Sequence, residues 1–416
     1  MDILFVCLLI GLVAFQFKVV FTNDYAAVWS PMTVISLCYV YYCIMPYFTG
    51  GSESYNLGGR DNTLFWIACD LSYICVLIGF YTSKAKDFSS WNVMFSNKNI
   101  VPSAVLLFFV AFWGYSSFRG IHFTPISEDN PAELQHMSFE HYFIELLLLY
   151  VPSFALIILC YKNNVGKLWL WWLLYYIVVS FLFAGTRSRI VYIALVSASL
   201  IYMYPKPRRP NYPLLGAIAV GLFILFSIME HSRSYSRGIQ MDAVKSMDKN
   251  EMTKGAEENN SVYWFSSLVI NRSEEFGEYY YFEPLATAVL MPIPRAIFPW
   301  KPNGQYLIDT QKLCIGSAEG GAAFLYFAEG FISFSWFGVI IYGWFLGWLS
   351  RRFWDNYRKN PQSLGAIVAL VVYSAMTYSF ISRGYLASSL ELFVYSTCFP
   401  FWIIKLAGKI FPIFRP

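Results

Sequence analysis

Two arginines stand one residue apart in Ala184-Gly-Thr-Arg-Ser-Arg-Ile190, in a gap of only about four residues between two apolar stretches. A third, Arg383, occupies a comparably tight turn, Ser382-Arg-Gly-Tyr385. Arg272 leads an acidic patch of Glu274, Glu275 and Glu278, while Arg295 and Lys301 stand among Pro292, Pro294, Pro299 and Pro302. A guanidinium keeps its charge when partly buried and presents paired N–H donors that match a phosphate group. A cation held at membrane depth costs a few kcal/mol unless it finds a partner. The set Arg187, Arg189, Arg272, Arg295, Lys301 and Arg383 therefore suits a polyprenyl diphosphate headgroup. Breaking a sugar C1–O bond leaves negative charge on that diphosphate, and preorganised cations stabilise it with no metal required. The same arginines would serve equally as ion-pair partners of Glu or as anchors to lipid headgroups.

Carboxylates supply a base for the hydroxyl that would accept the sugar. Glu278, beside Arg272, is the candidate; Glu319 and Glu329 flank the small-residue stretch Gly316-Ser-Ala-Glu-Gly-Gly-Ala-Ala-Phe-Leu-Tyr-Phe-Ala-Glu-Gly330. Tyr280, within Tyr279-Tyr280-Tyr281-Phe282 and with Trp264 and Trp300 nearby, could stack on sugar rings, although an interfacial aromatic belt explains such residues too. The four histidines are His122, His136, His141 and His231, so none falls in 261–330. No metal-ligand spacing, P-loop or GxGxxG is present, and the expectation is chemistry without metal or cofactor.

The elements that must position these groups follow from composition. Of 416 residues, 57% are hydrophobic and only 13% are charged, and the mean hydropathy is +0.47. That is too little charge to cover a soluble surface. A soluble enzyme, a disordered chain and a nucleic-acid binder are excluded, and the partner environment is a lipid bilayer. Eleven solid apolar runs of helical character occur, near 3–20, 32–48, 63–81, 101–118, 141–160, 168–184, 189–204, 213–229, 335–350, 364–381 and 388–406. Within them Asp70 lies mid-span, where an acid needs a partner, and Glu145 lies near the outer end of its run.

Lys and Arg of short loops set the orientation. Assigning 18–31, 82–100, 161–167, 205–212, 351–360 and the C-terminal tail to the cytoplasm places sixteen of the thirty basic residues there, against three acids. The N-terminus is then outside, the C-terminus inside, and the first run an anchor. The expected fold is an all-α polytopic membrane protein. Residues 1–229 carry helices one to eight, 230–334 form one large outer loop with short helices, and 335–416 carry helices nine to eleven and a basic cytoplasmic tail. In that loop 231–260 is polar, 261–283 is aromatic and helix-compatible, and 316–330 reads as a helix lying on or dipping into the membrane, or as an extension of span nine.

This arrangement resembles the bacterial O-antigen or oligosaccharide repeat-unit polymerases (Wzy-type). The likeness is sharpest at Gly185-Thr-Arg-Ser-Arg189, at Ile293-Pro-Arg-Ala-Ile-Phe-Pro-Trp-Lys-Pro302, and at Ala323-Phe-Leu-Tyr-Phe-Ala-Glu-Gly330 before Trp336-Phe-Gly338. The resemblance implies a membrane glycosyltransferase of the bacterial inner membrane, active at the periplasmic face. A growing glycan on undecaprenyl diphosphate would be transferred en bloc to a new lipid-linked unit, with chain length set by a separate regulator protein. It implies diphosphate binding by Arg187, Arg189, Arg295 and Lys301. One departure is plain: some members show Arg followed eleven residues later by Gly in two periplasmic loops, and Arg233, Arg237, Arg272 and Arg295 lack it. An O-antigen ligase would share the architecture but use a loop His as base. A lipid-linked oligosaccharide flippase would show related halves and a midplane site.

Overall fold

The computed structural model describes residues 2–23, 25–49, 62–83, 89–126, 143–231, 238–246, 257–291, 293, 297–302, 304–316 and 323–416. Among these residues the chain is helical, with a single isolated backbone bridge between Ile126 and Ile239 and no strand. In chain order the main helices are α1 (Asp2–Asn23), α2 (Pro31–Tyr39), α3 (Thr63–Thr82), α4 (Ile100–Arg119), α5 (Tyr150–Lys162), α6 (Leu170–Phe183), α7 (Arg187–Met203), α8 (Tyr212–His231), α9 (Glu257–Phe276), α10 (Glu283–Leu290), α11 (Gln305–Ile315), α12 (Tyr326–Lys359), α13 (Leu364–Ser382), α14 (Leu386–Phe393) and α15 (Phe399–Ile410). At the start of α2 Ser30 accepts the Thr33 N–H at 3.3 Å, and proline occupies the first turn of α2, α10 and α15.

Nine helical stretches among the described residues are long and apolar enough to cross a membrane, which makes the chain a polytopic membrane protein. The apolar runs at 168–184 and 189–204 fold as α6 and α7, of 14 and 17 residues. At 1.5 Å per residue α6 is about 21 Å long, short of the roughly 30 Å hydrocarbon core. Arg187 and Arg189, expected in a loop, form the first turn of α7 instead. In the long segment between α8 and α12, α9 is a full 20-residue helix that begins earlier than the aromatic stretch at 261 implied.

Two compact units interleave along the sequence. The first comprises Met1–Asp87, Glu257–Asn356 and Met376–Leu392, and the second Phe88–Ala256, Tyr357–Ala375 and Phe393–Pro416. In the first, α3 and α12 approach backbone to backbone through small residues. A Cβ on Gly79 would strike the Trp344 carbonyl, one on Gly347 the Val76 carbonyl, and one on Gly343 would lie 2.6 Å from the Ser72 carbonyl. Close approach of this kind is what drives helix association where lipid removes the hydrophobic driving force. The helix α12 is itself broken. Phe334 (φ −138°) and Ser335 (φ 53°) leave helical geometry, and Gly330 packs against Gly338 across the break. A short segment from Tyr326 therefore turns sharply before the long apolar helix begins, close to the residue 335 boundary that hydropathy marks. In the second unit α4 and α5 pack closely, with Ser153 donating to the Ala104 carbonyl at 2.8 Å.

Candidate functional site

In the first unit three pieces of chain are stitched together around one buried carboxylate. The Gly384 N–H donates to the Phe324 carbonyl at 2.5 Å, and the Leu325 N–H donates to Ser266 Oγ on α9 at 2.8 Å. Glu329, only 1% exposed, accepts the Tyr306 hydroxyl of α11 at 2.7 Å and the Leu386 N–H at 2.9 Å, both on Oε1. A buried carboxylate is tolerated where donors satisfy it. The effect is to fix the Arg383-Gly384-Tyr385 turn against the short helical segment at 326–333. Gly384 must be glycine here, because a Cβ would lie 2.6 Å from the Phe324 ring and 2.7 Å from the Leu325 carbonyl.

Tyrosines surround this carboxylate. The Tyr306 ring lies 5.8 Å from Tyr280 and 6.4 Å from Tyr385. The Tyr280 N–H donates to the Ile332 carbonyl at 2.8 Å, so the Tyr279–Phe282 turn is anchored to the same segment. Burial, reinforced by the charge of Glu329, holds the Tyr306 hydroxyl well above the phenol range and pushes Tyr385 up to about 12. Burial also raises Tyr280, with Asp309, Glu278 and Glu283 adding to it. All three remain neutral hydroxyls near pH 7; Tyr306 spends its proton on Glu329, which leaves those of Tyr280 and Tyr385 to donate to oxygens of a ligand.

Arg383 leaves the pinned turn half exposed, at 52%, and stands 3.7 Å from Glu258 at the start of α9. A pair this long and this exposed contributes little and can be exchanged for a stronger anion. The other expected cations are differently engaged. Arg272 bonds Glu275 at 3.1 Å within α9 and lies over the Phe276 ring. Its charge also reaches Cys314, whose thiol burial nevertheless pushes up to about 12. The Lys301 ammonium donates to the Met291 and Ile293 carbonyls at 2.9 and 2.7 Å, holding the proline-rich turn together. A phosphate would have to compete with those carbonyls. Glu278 is exposed on the turn after α9, its N–H bonded to the Ser273 carbonyl. Arg295 and Glu319 lie outside the described residues.

In the second unit Arg187 is buried at 6% exposure, and Arg189 pairs with Glu145 at 3.7 Å. Glu145, read from sequence as an acid near the outer end of its span, thus partners a tight-turn arginine. The chain at 238–239 bonds to two neighbouring segments: the Gly238 N–H donates to the Phe183 carbonyl at the end of α6 at 3.0 Å, and the Ile239 N–H to the Pro125 carbonyl at 2.7 Å. Elsewhere, Asp70 is buried and, among the described residues, neither of its carboxylate oxygens has the hydrogen-bond partner that a mid-span acid was expected to find. Among the described residues no group of three or more His, Cys, Asp or Glu could hold a metal ion.

The sequence thus brings forward Arg383 and Tyr280, which the fold brings to one cluster, and names Glu329 among its carboxylates, but it puts Glu278 first and gives no sign of Tyr306. The available signal was an acid inside the apolar run Phe324–Ile332, where nothing but a specific donor set makes an acid tolerable. Family models, curated proteins and solved structures were all compared with the chain, and none matches it.

Proposed function

We propose that the chain is a metal-independent membrane glycosyltransferase. It would polymerise undecaprenyl-diphosphate-linked oligosaccharide repeat units at the periplasmic face of a bacterial inner membrane, with about eleven spans, N-terminus out and C-terminus in. The observation that carries this reading is the Arg383 turn: a half-exposed guanidinium, loosely held by Glu258, on a backbone pinned by buried Glu329 beside Tyr306, Tyr280 and Tyr385. A diphosphate that displaced Glu258 from Arg383 would gain a bidentate cation and keep the Glu258 carboxylate beside it. The acceptor hydroxyl oxygen then attacks C1 of the growing glycan, its proton passes to that carboxylate, and the C1–O bond to diphosphate breaks. Negative charge develops where Arg383 already stands. Glu258 is better placed for this than Glu278, and neutral tyrosine hydroxyls supply donors to sugar oxygens. Arg187 and Arg189 are assigned the same class of ligand on chemistry alone, and Arg295, Lys301 and Glu319 keep the roles the resemblance and the sequence gave them.

Deleting the gene and resolving surface glycans by size tests the reading. Accumulation of single-repeat products supports a polymerase. Loss of all attached glycan, single units included, points to the ligase or flippase instead.

A further inference from the structure

The second unit contains a cavity of about 380 Å³ that the proposed chemistry does not use. It is lined by Trp91, Met94, Val394, Cys398, Phe401 and Trp402, and by one charged residue, Lys405. That size falls at the lower end of the roughly 300–1,000 Å³ of small-ligand pockets. Its walls are ordered. Trp91 stacks on Phe401 with ring centroids 4.4 Å apart and planes 12° apart, and Phe95 closes on the same ring at 5.7 Å. Asn99, fully buried, donates to the Met94 carbonyl at 2.8 Å and to the Phe414 carbonyl at 3.0 Å, tying the 89–100 stretch to the C-terminal tail.

The helix itself is opened at this point. Between α14 and α15 the chain winds as a π-helix over Val394–Cys398, and both ends of that wide turn face the cavity. Wide turns of this kind recur at functional sites. The chemistry of the lining is two-sided. The slot is aromatic and thiol, and Trp402 remains 60% exposed at its edge. The one charged residue of the lining is Lys405, and the two segments that build the cavity, 89–100 and 393–416, carry Lys98, Lys405, Lys409 and Arg415 and not one Asp or Glu. An amphiphile with an apolar chain and an anionic head complements both sides, whereas a neutral or cationic head meets only half of the site.

We infer that this cleft is a binding site for one anionic phospholipid, its acyl chain laid against the stacked Trp91–Phe401 pair and Trp402 and its phosphate on Lys405. The inference is independent of the glycan chemistry proposed above and belongs to the face to which basic loop residues assign the cytoplasm, where the leaflet is anionic.

The full chain in nanodiscs, doped with photoreactive phosphatidylglycerol or with phosphatidylcholine of the same acyl chains, provides the test, with adducts mapped by peptide mass spectrometry. Phosphatidylglycerol should label peptides containing Trp91–Met94 and Val394–Trp402, and phosphatidylcholine should label them several-fold less. Lys405→Gln should lower the phosphatidylglycerol adduct by about fivefold, the equivalent of about 1 kcal/mol per basic residue. Lys405→Arg should retain it, and Lys409→Gln, at a residue that does not line the cavity, should leave it near the wild-type level. Equal labelling by both lipids, an unchanged adduct in Lys405→Gln at unchanged melting temperature, or label spread evenly over the lipid-facing helices would overturn the inference.

Discussion

Glu329 acts through what it holds. It touches Tyr306 and the Leu386 N–H, and through the latter sets the turn that carries Arg383. It is therefore a positioning residue, and its substitution should act on binding as well as on the fold. Removing the Tyr306 hydroxyl with Tyr306→Phe takes one donor from a buried carboxylate, a loss of about 1.5–3 kcal/mol. A lowered melting temperature of the purified protein checks this, and an unchanged one would show that the bond carries no stability. The tyrosines also give a pH dependence with a definite sign. Because folding raises Tyr385 to about 12 from the ordinary phenol value near 10, its contribution is complete below pH 10 and is lost as pH climbs from about 10 to 12. Thermal stability should fall across that interval, and Tyr385→Phe should make the fall shallower. At this scale the sequence was least informative. Arg272, next to three acids, looked catalytic because proximity in sequence suggests a cluster. Helical spacing instead turned that proximity into an i,i+3 pair with Glu275. Glu329 acquires its meaning only from Tyr306, 23 residues away, and from a backbone N–H 57 residues away.

Elements were far more legible. Each solid apolar run became a helix, because a run with few charges has no other way to satisfy its backbone in lipid. What hydropathy could not supply was how the helices pack. Gly343 and Gly347 read as ordinary members of an apolar run, yet with Gly79 they set the approach of α3 and α12. Gly79→Leu and Gly347→Leu should each destabilise the protein by about 1–3 kcal/mol or more through overpacking. Gly11→Leu, where an added Cβ meets nothing within 4 Å, should be neutral. Melting temperatures in one detergent decide the matter, and equal values for all three variants would remove the packing argument. The break at Phe334–Ser335 was legible as a boundary but not as a turn, since the left-handed φ of Ser335 carries no sequence signature of the kind glycine would provide.

For the whole molecule, scarce charge is the organising fact. Sorting it by side assigns Lys312 to the outer face and Lys359 to the cytoplasm. Cysteines placed there singly, with exposed Cys7 replaced by Ala, should react differently with an impermeant maleimide. Lys312→Cys should label in intact cells, and Lys359→Cys only after permeabilisation; the reverse pattern would invert the topology. Orientation determines whether the Arg383 turn can meet a lipid-linked glycan at all. Diphosphate binding at this turn is therefore tested most directly by the surface-glycan profile of a deletion strain complemented with Arg383→Ala, Arg383→Lys or the unaltered chain, at matched expression. The unaltered chain should restore the full ladder. Arg383→Ala should leave single-repeat products alone, and Arg383→Lys should restore only short chains, because an ammonium keeps the charge but not the paired donors. A full ladder from Arg383→Ala would contradict the claim that this turn binds the diphosphate.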